Sequence, residues 1–188
     1  YAASLQCRQE ALNLFREISD KDGMARALNN IGRVLFVQGN YAEAGFRFQE
    51  SLATSQEIGN RETMMFALSN LGAVACELGD YAQAENYFRA ALKTAMEIRT
   101  VPIALSTLVG AAKLDAKQGR RERAVELLAL VLNHPARTLE AKKDAEPLLA
   151  ELTAQLPPGV VVAAQERGKA QRLETVTAQI LESRPITD

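Results

Sequence analysis

Apolar side chains recur every three or four residues along most of the chain, with polar residues between them. The segment 64–78 shows this spacing, with apolar residues at Ala67, Leu68, Leu71, Val74, Ala75 and Leu78. Such intervals place the apolar side chains on one face of an α-helix. No segment of the sequence alternates apolar and polar residues with period two, so no strand is predicted. The pattern therefore predicts an all-α protein.

The same pattern returns every 40 residues without a gap. Four glycines keep this spacing, and columns of tyrosine, leucine and isoleucine run in register with them. The columns are Gly39, Gly79, Gly119 and Gly159; Tyr1, Tyr41 and Tyr81; Leu12, Leu52, Leu92 and Leu132; and Ile18, Ile58 and Ile98. Agreement among so many columns indicates an internal structural repeat.

Each repeat is predicted to fold as two helices joined by a short turn. Gly39 and Gly79 mark the turn, because glycine adopts the left-handed backbone conformation at little steric cost. The residues that follow them, Asn40 and Asp80, are suited to cap the next helix. One such hairpin cannot bury its apolar faces alone, so successive hairpins are expected to stack.

Two glycines lie in the middle of predicted helices. Gly32 and Gly72 each cost a helix about 1 kcal/mol relative to alanine. We therefore expect another backbone to come close at these positions, with Ala44 and Ala84 on the facing helix.

The last third of the chain departs from the repeat. Residues 136–156 are predicted to be helical, with Pro147 kinking or restarting the helix. Two short helices, 160–167 and 173–181, are expected around Gly168. The predicted organisation is a set of helical repeats in 1–134, then a degenerate repeat and capping helices in 135–188.

Composition narrows the choice of partner and compartment. The chain has 22 basic and 23 acidic residues, a net charge of -1, which gives no long-range attraction to nucleic acid or to anionic membranes. Cys7 and Cys76 lie far apart, so a reducing, cytoplasmic setting is expected. Because the sequence opens at Tyr1 without a methionine, we expect it to be a fragment of a larger protein.

Residues that could support catalysis are scarce. The sequence has no phosphate-binding loop motif and a single histidine, His134. One histidine and two distant cysteines are too few for a metal site. The sequence therefore predicts no cofactor, no metal and no enzymatic activity.

Two stretches carry a family resemblance, one in each of two successive repeats. The first comprises residues 30–32, 39–44 and Phe48, and the second comprises residues 70–72, 79–84 and Phe88. They resemble the tetratricopeptide repeat over residues 1 to about 134, with a 40-residue period in place of the usual ~34. Arg121 and Ala112 depart from the pattern in the third repeat. The resemblance implies a right-handed α-solenoid of antiparallel helical hairpins that binds proteins or peptides in a concave groove.

A looser resemblance concerns the C-terminal part. Residues 166–170, together with Leu173 and Glu174, are similar to the C-terminal end of bacterial signalling ATPases and transcription activators that carry such repeats. This resemblance implies a second hypothesis, in which the chain is the small-ligand sensor arm of a larger bacterial regulator. Self-association through exposed solenoid ends is a third.

The first helix of each hairpin is expected to line the groove. If Ile31, Gly32 and Leu35 pack inward, another face of the same helix points toward the groove. The groove candidates over three repeats are Arg26, Asn29, Asn30, Arg33, Phe66, Ser69, Asn70, Lys113 and Lys117.

These candidates allow more than one interpretation. In similar repeats the asparagine at the position of Asn30 and Asn70 hydrogen-bonds a peptide backbone, and the agreement of both copies favours this role; the alternative is that these residues are solvated or bond within the stack. The basic candidates favour an acidic peptide or a carboxylate, a trend that Glu77 opposes. Phe66 could anchor a partner side chain or pack under the neighbouring hairpin.

Overall fold

The structure is a computed structural model that describes residues 2–182, and the side chains of 5–182. All regular structure in these residues is α-helical, which confirms the predicted all-α fold. The helices are α1 (Ala2–Glu17), α2 (Lys21–Val37), α3 (Tyr41–Glu57), α4 (Arg61–Leu78), α5 (Tyr81–Glu97), α6 (Val101–Lys117), α7 (Arg121–Asn133), α8 (Leu139–Thr153), α9 (Pro158–Ala170) and α10 (Leu173–Glu182).

The chain divides into two compact units, with the boundary between Thr94 and Ala95 inside α5. In the first unit, α1, α2, α3 and α4 pack in order of sequence, and α2 also contacts α4. In the second unit, α7 packs against α6, α8 and α9. Consecutive helices that pack in sequence order are the arrangement expected of an α-solenoid.

The core of the first unit is built from the repeat columns. Its buried residues include Leu12, Leu28, Ile31, Leu35, Ala44, Phe48 and Leu71. These residues come from four successive helices, so the predicted stacking of hairpins is confirmed here. The inward faces of α2 and α4 pack into this core, and their remaining faces lie at the surface.

The mid-helix glycines are explained by aromatic rings and not by a facing backbone. A Cβ atom on Gly32 would lie 2.6 Å from the ring of Phe48, and one on Gly72 would lie 2.7 Å from the ring of Phe88. The expectation of a close backbone was therefore wrong at these two positions. The missing side chain makes room for the large side chain of the following helix.

The turns between paired helices follow the predicted chemistry with one exception. Gly39 and Gly79 have φ of 80° and 83°, the left-handed conformation that suits glycine. Asp80 Oδ1 accepts a hydrogen bond from the backbone N–H of Gln83 at 3.1 Å, as a helix cap does. Asn40 makes no such bond, so its predicted capping role was wrong.

The C-terminal helices differ from the predicted ones. Helix α8 runs through Pro147 without restarting, and Gly168 lies inside α9. A Cβ atom on Gly168 would lie 2.2 Å from the backbone oxygen of Glu126 on α7, so a close helix contact explains this glycine. Gly159, the last glycine of the repeat column, also lies within α9 and does not form a turn.

Candidate functional site

A cleft of about 200 Å³ lies between α2 and α4 in the first unit. It is lined by Arg26, Asn29, Asn30 and Arg33 of α2, and by Glu62, Thr63 and Phe66 of α4. Five of the nine predicted groove residues therefore line one cavity. The other four are Ser69, Asn70, Lys113 and Lys117.

Helix geometry explains why the α2 residues share a surface. Asn29, Asn30 and Arg33 follow Arg26 by three, four and seven residues, which places all four on adjoining positions of one helix face. The opposite face holds buried Ile31 in the core, which fixes the rotation of the helix. Asp20 fixes where α2 begins, because its Oδ1 accepts a hydrogen bond from the backbone N–H of Gly23 at 3.0 Å.

A cross-helix hydrogen bond joins two of the predicted asparagines. Asn70 Nδ2 donates to Asn29 Oδ1 at 2.9 Å, and Asn29 is only 8% exposed. Asn70 thus bonds within the stack, which is one of the alternatives that the sequence left open. Asn30 is half-buried and lines the cleft, so the two asparagines that are equivalent by repeat have different surroundings.

The charges around the cleft are mixed. Arg26 Nε lies 3.0 Å from Asp22 Oδ2, and Asp22 also accepts a hydrogen bond from the side-chain amide of Asn60. Glu62 contributes a carboxylate to a lining that also holds the guanidinium groups of Arg26 and Arg33. The lining offers both signs of charge, so its preference for an acidic guest stays a prediction.

Phe66 supplies the apolar part of the cleft. Its side chain is 38% exposed, so the ring is partly packed and partly open to a guest. Thr63 lies one turn earlier on α4 and is buried, with its backbone N–H donating to Asn60 Oδ1 at 3.0 Å. Sequence reasoning missed Glu62 and Thr63. The available signal was their position in the first turn of α4, four and three residues before Phe66.

The remaining candidates lie elsewhere. Ser69 is half-buried on α4, outside the lining of the cleft. Lys113 and Lys117 are exposed one turn apart on α6, in the second unit. Their participation in a common binding surface stays a prediction.

The described residues form neither a metal-ligand cluster nor a membrane-spanning helix. No group of three or more His, Cys, Asp or Glu residues is arranged to hold a metal ion within residues 2–182. His134 has a local role, because its Nδ1 accepts a hydrogen bond from the backbone N–H of Ala136 at 3.1 Å. Within the same residues, each helix is too short or too polar to cross a membrane.

One buried carboxyl group occurs in the second unit. Asp115 on α6 pairs with Arg120 Nε at 2.7 Å and with Arg123 Nε at 3.3 Å. Burial raises the pKa of the Asp115 carboxyl, although the hydrogen bond from Arg120 and the charges of both arginines act to lower it. The group joins the end of α6 to the start of α7 and contributes to that hairpin.

Comparison with known proteins gives one family. The family model of the tetratricopeptide repeat matches residues 1–57 and 63–134, more than half of the chain. No curated protein matches the chain. The matched residues include α2 and, from Thr63 onward, α4, the two helices that form the cleft.

Proposed function

Because the chain belongs to the tetratricopeptide repeat family, we propose that it is a non-enzymatic scaffold that binds a segment of another protein between α2 and α4. Repeats of this family generally mediate protein–protein interaction. The observation that carries the proposal is the cleft itself, which gathers two guanidinium groups, two side-chain amides and one phenyl ring.

Each group in the cleft suits a different part of a peptide. The amide of Asn30 offers a donor and an acceptor, which match the carbonyl and N–H of a backbone. The exposed part of the Phe66 ring suits an apolar side chain. Arg33 and Arg26 suit carboxylates, which guanidinium groups bind with paired hydrogen bonds.

The size of the cleft favours a peptide over a metabolite. Its volume of about 200 Å³ is smaller than the ~300–1,000 Å³ typical of small-molecule pockets. A single side chain of a partner fits such a space, while the rest of the partner extends over the surface. In the proposal, Ser69 and Asn70 extend this surface along α4, an acidic peptide is the preferred guest, and nucleic acid and membranes are not partners. Lys113 and Lys117 on α6 of the second unit are proposed as further contacts for an acidic partner.

Binding to a displayed library of acidic and neutral peptides, followed by fluorescence anisotropy with the selected sequence, tests the proposal. Phe66→Ala and Asn30→Ala should each weaken binding by about tenfold or more if these residues are central contacts. Phe46→Ala is the matched control, because Phe46 is an aromatic residue on α3 that is 55% exposed and lies outside the cleft. If all three variants bind the peptide as tightly as the wild type does, binding at the cleft is refuted.

The sensor arm of a bacterial signalling ATPase or transcription regulator is the second candidate. The convergent polar groups of the cleft favour it, since such groups can orient a small ligand. A thermal-shift screen of metabolites tests it, and a hit whose stabilisation is lost in Asn30→Ala would support it. A cytoplasmic location is proposed as well. Self-association of the chain is a further proposal, and light scattering at several protein concentrations tests it.

A further inference from the structure

Asp22 lies next to the cleft between α2 and α4 and pairs with one of the basic residues that line it. Asp22 Oδ2 lies 3.0 Å from Arg26 Nε, one turn further along α2. Arg26 lines the cleft, and Asp22 lies outside this lining. The guanidinium group that is proposed to bind a carboxylate of the partner therefore already has a carboxylate of the protein itself beside it.

The Asp22 carboxylate is held in place from the start of another helix. Its second oxygen, Oδ1, accepts a hydrogen bond from the side-chain amide of Asn60. Asn60 is itself fixed, because its Oδ1 caps α4 by accepting a hydrogen bond from the backbone N–H of Thr63 at 3.0 Å. Both oxygens of Asp22 thus have a partner, and the carboxylate is anchored beside the first turn of α4.

Arg26 is the member of the pair that can change partner. Its side chain is 63% exposed, and arginine has a long side chain with many accessible rotamers. A pair of opposite charges four residues apart on an exposed helix face shifts an equilibrium by only about twofold. A carboxylate of a guest in the cleft can therefore draw Arg26 away from Asp22 at small cost, while Asn60 keeps Asp22 where it is.

The following repeat does not carry this pair. Forty residues after Asp22 the chain has Glu62, which is again acidic. Forty residues after Arg26 it has Phe66, whose ring carries no charge with which a carboxylate could pair. The repeat itself therefore does not require the pair, so Asp22 and Arg26 are suited to a role specific to the α2 side of the cleft.

We propose that Asp22 is a built-in competitor for the carboxylate of the partner: it pairs with Arg26 until an acidic segment enters the cleft and displaces it. This inference rests on the proposed function, because it needs a guest between α2 and α4. A neutral guest leaves the pair intact, so Asp22 lowers the affinity for acidic guests alone. A carboxylate by itself then gains little from Arg26, and tight binding requires contacts with the rest of the cleft, including Phe66.

Fluorescence anisotropy tests this role with two probes: the acidic peptide selected from the library, and the same peptide with amides in place of its carboxylates. Asp22→Asn keeps an oxygen that can accept the bond from Asn60 but removes the charge that holds Arg26. The variant should bind the acidic peptide about two- to fivefold more tightly at a salt concentration of about 0.05 M. It should bind the amide peptide as the wild type does. In the Arg26→Gln background the gain should largely disappear, because no guanidinium is left to release.

Glu43→Gln is the matched control. Glu43 pairs with Arg47 on α3 at 3.7 Å, with the same spacing of four residues. Both of these residues lie outside the lining of the cleft. The variant therefore removes one negative charge and one pair of the same kind from the same unit, and it should leave the affinity for both peptides unchanged.

Three results would overturn the role of Asp22. They are an unchanged affinity of Asp22→Asn for the acidic peptide, an equal gain for both peptides, and an equal gain in Asp22→Asn and Glu43→Gln. If binding to the wild type depends on Phe66 and Asn30 while Asp22→Asn has no effect, the cleft stays the binding site and only the competition is wrong. If Phe66→Ala and Asn30→Ala bind the peptide as the wild type does, the proposed function fails and this inference fails with it.

Discussion

The hairpin α2–α3 in the first unit and the hairpin α6–α7 in the second share one repeat pattern but fill it with different residues. Gly32 and Phe48 occupy the positions that Ala112 and Leu128 occupy 80 residues later, and all four are buried. The pair of glycine and phenylalanine in the first hairpin is thus replaced by alanine and leucine in the second. Alanine is larger than glycine, and leucine is smaller than phenylalanine. The comparison teaches that the repeat conserves the volume between paired helices more closely than residue identity.

The turns of the two hairpins also keep the same backbone conformation but differ in their residues. Gly39 and Gly119 both have φ of 80°, so the backbone is conserved. At the position of buried Leu35, however, the later hairpin places Asp115, and an arginine, Arg120, replaces Asn40. The charged pair in α6–α7 therefore takes the place of an apolar residue and a polar turn residue in α2–α3.

The largest expected effect comes from exchanging volumes in the first hairpin. Gly32→Ala should destabilise the protein, because overpacking costs about 1–3 kcal/mol and the gain in helix propensity is only about 1 kcal/mol. Adding Phe48→Leu recreates the Ala–Leu combination of the later hairpin. We expect the double variant to be more stable than the sum of the single changes predicts, by about 0.5–3 kcal/mol of coupling. Urea denaturation of the four proteins measures this, and strict additivity would contradict the volume argument.

A smaller effect is expected at the helix caps. Asp80→Ala should lower the free energy of unfolding by about 1 kcal/mol, because it removes the hydrogen bond to the Gln83 N–H. Asn40→Ala, at the equivalent position between α2 and α3, should change it by less than about 0.5 kcal/mol, because Asn40 makes no capping bond. Denaturation midpoints of the two variants, compared under the same conditions, distinguish these outcomes. Equal losses would show that Asn40 caps α3 after all.

The smallest effect concerns pH and Asp115. Since burial raises the pKa of this carboxyl in the folded protein, the folded state binds its proton more readily than the unfolded state. The resulting stabilisation is present below the ordinary pKa of 3.8 and is lost as the pH rises through the raised value. The wild type should therefore gain stability relative to Asp115→Asn as the pH falls from 7 to about 3. A relative loss would mean that Arg120 and Arg123 outweigh burial.

The repeat made most of the fold predictable from sequence. Columns such as Gly39 and Gly79 report local backbone conformation, which depends on few neighbours. The errors lie where contacts between residues far apart in the sequence determine the structure. Gly168 was predicted to lie between two helices, because its contact with Glu126 on α7 is not visible in the local pattern. Pro147 was expected to kink or restart α8; the helix does not restart there, and the kink stays a prediction.

The cleft was predictable in part for the same reason. Arg26, Asn30 and Arg33 follow from the rotation of α2, which the apolar face fixes. The bond between Asn70 and Asn29 depends on the register of α4 against α2, and a single sequence carries no signal for that register. Glu62 was overlooked because it precedes the apolar periodicity of α4.

The measurement closest to the central claim is a hydrogen-exchange footprint of the chain with and without a bound acidic peptide selected from a library. The proposed function predicts slower exchange in α2 and α4 around Asn30 and Phe66, with no change around Phe46 on α3. Slower exchange confined to α3 or to the second unit, with α2 and α4 unaffected, would contradict the assignment of the cleft as the binding site.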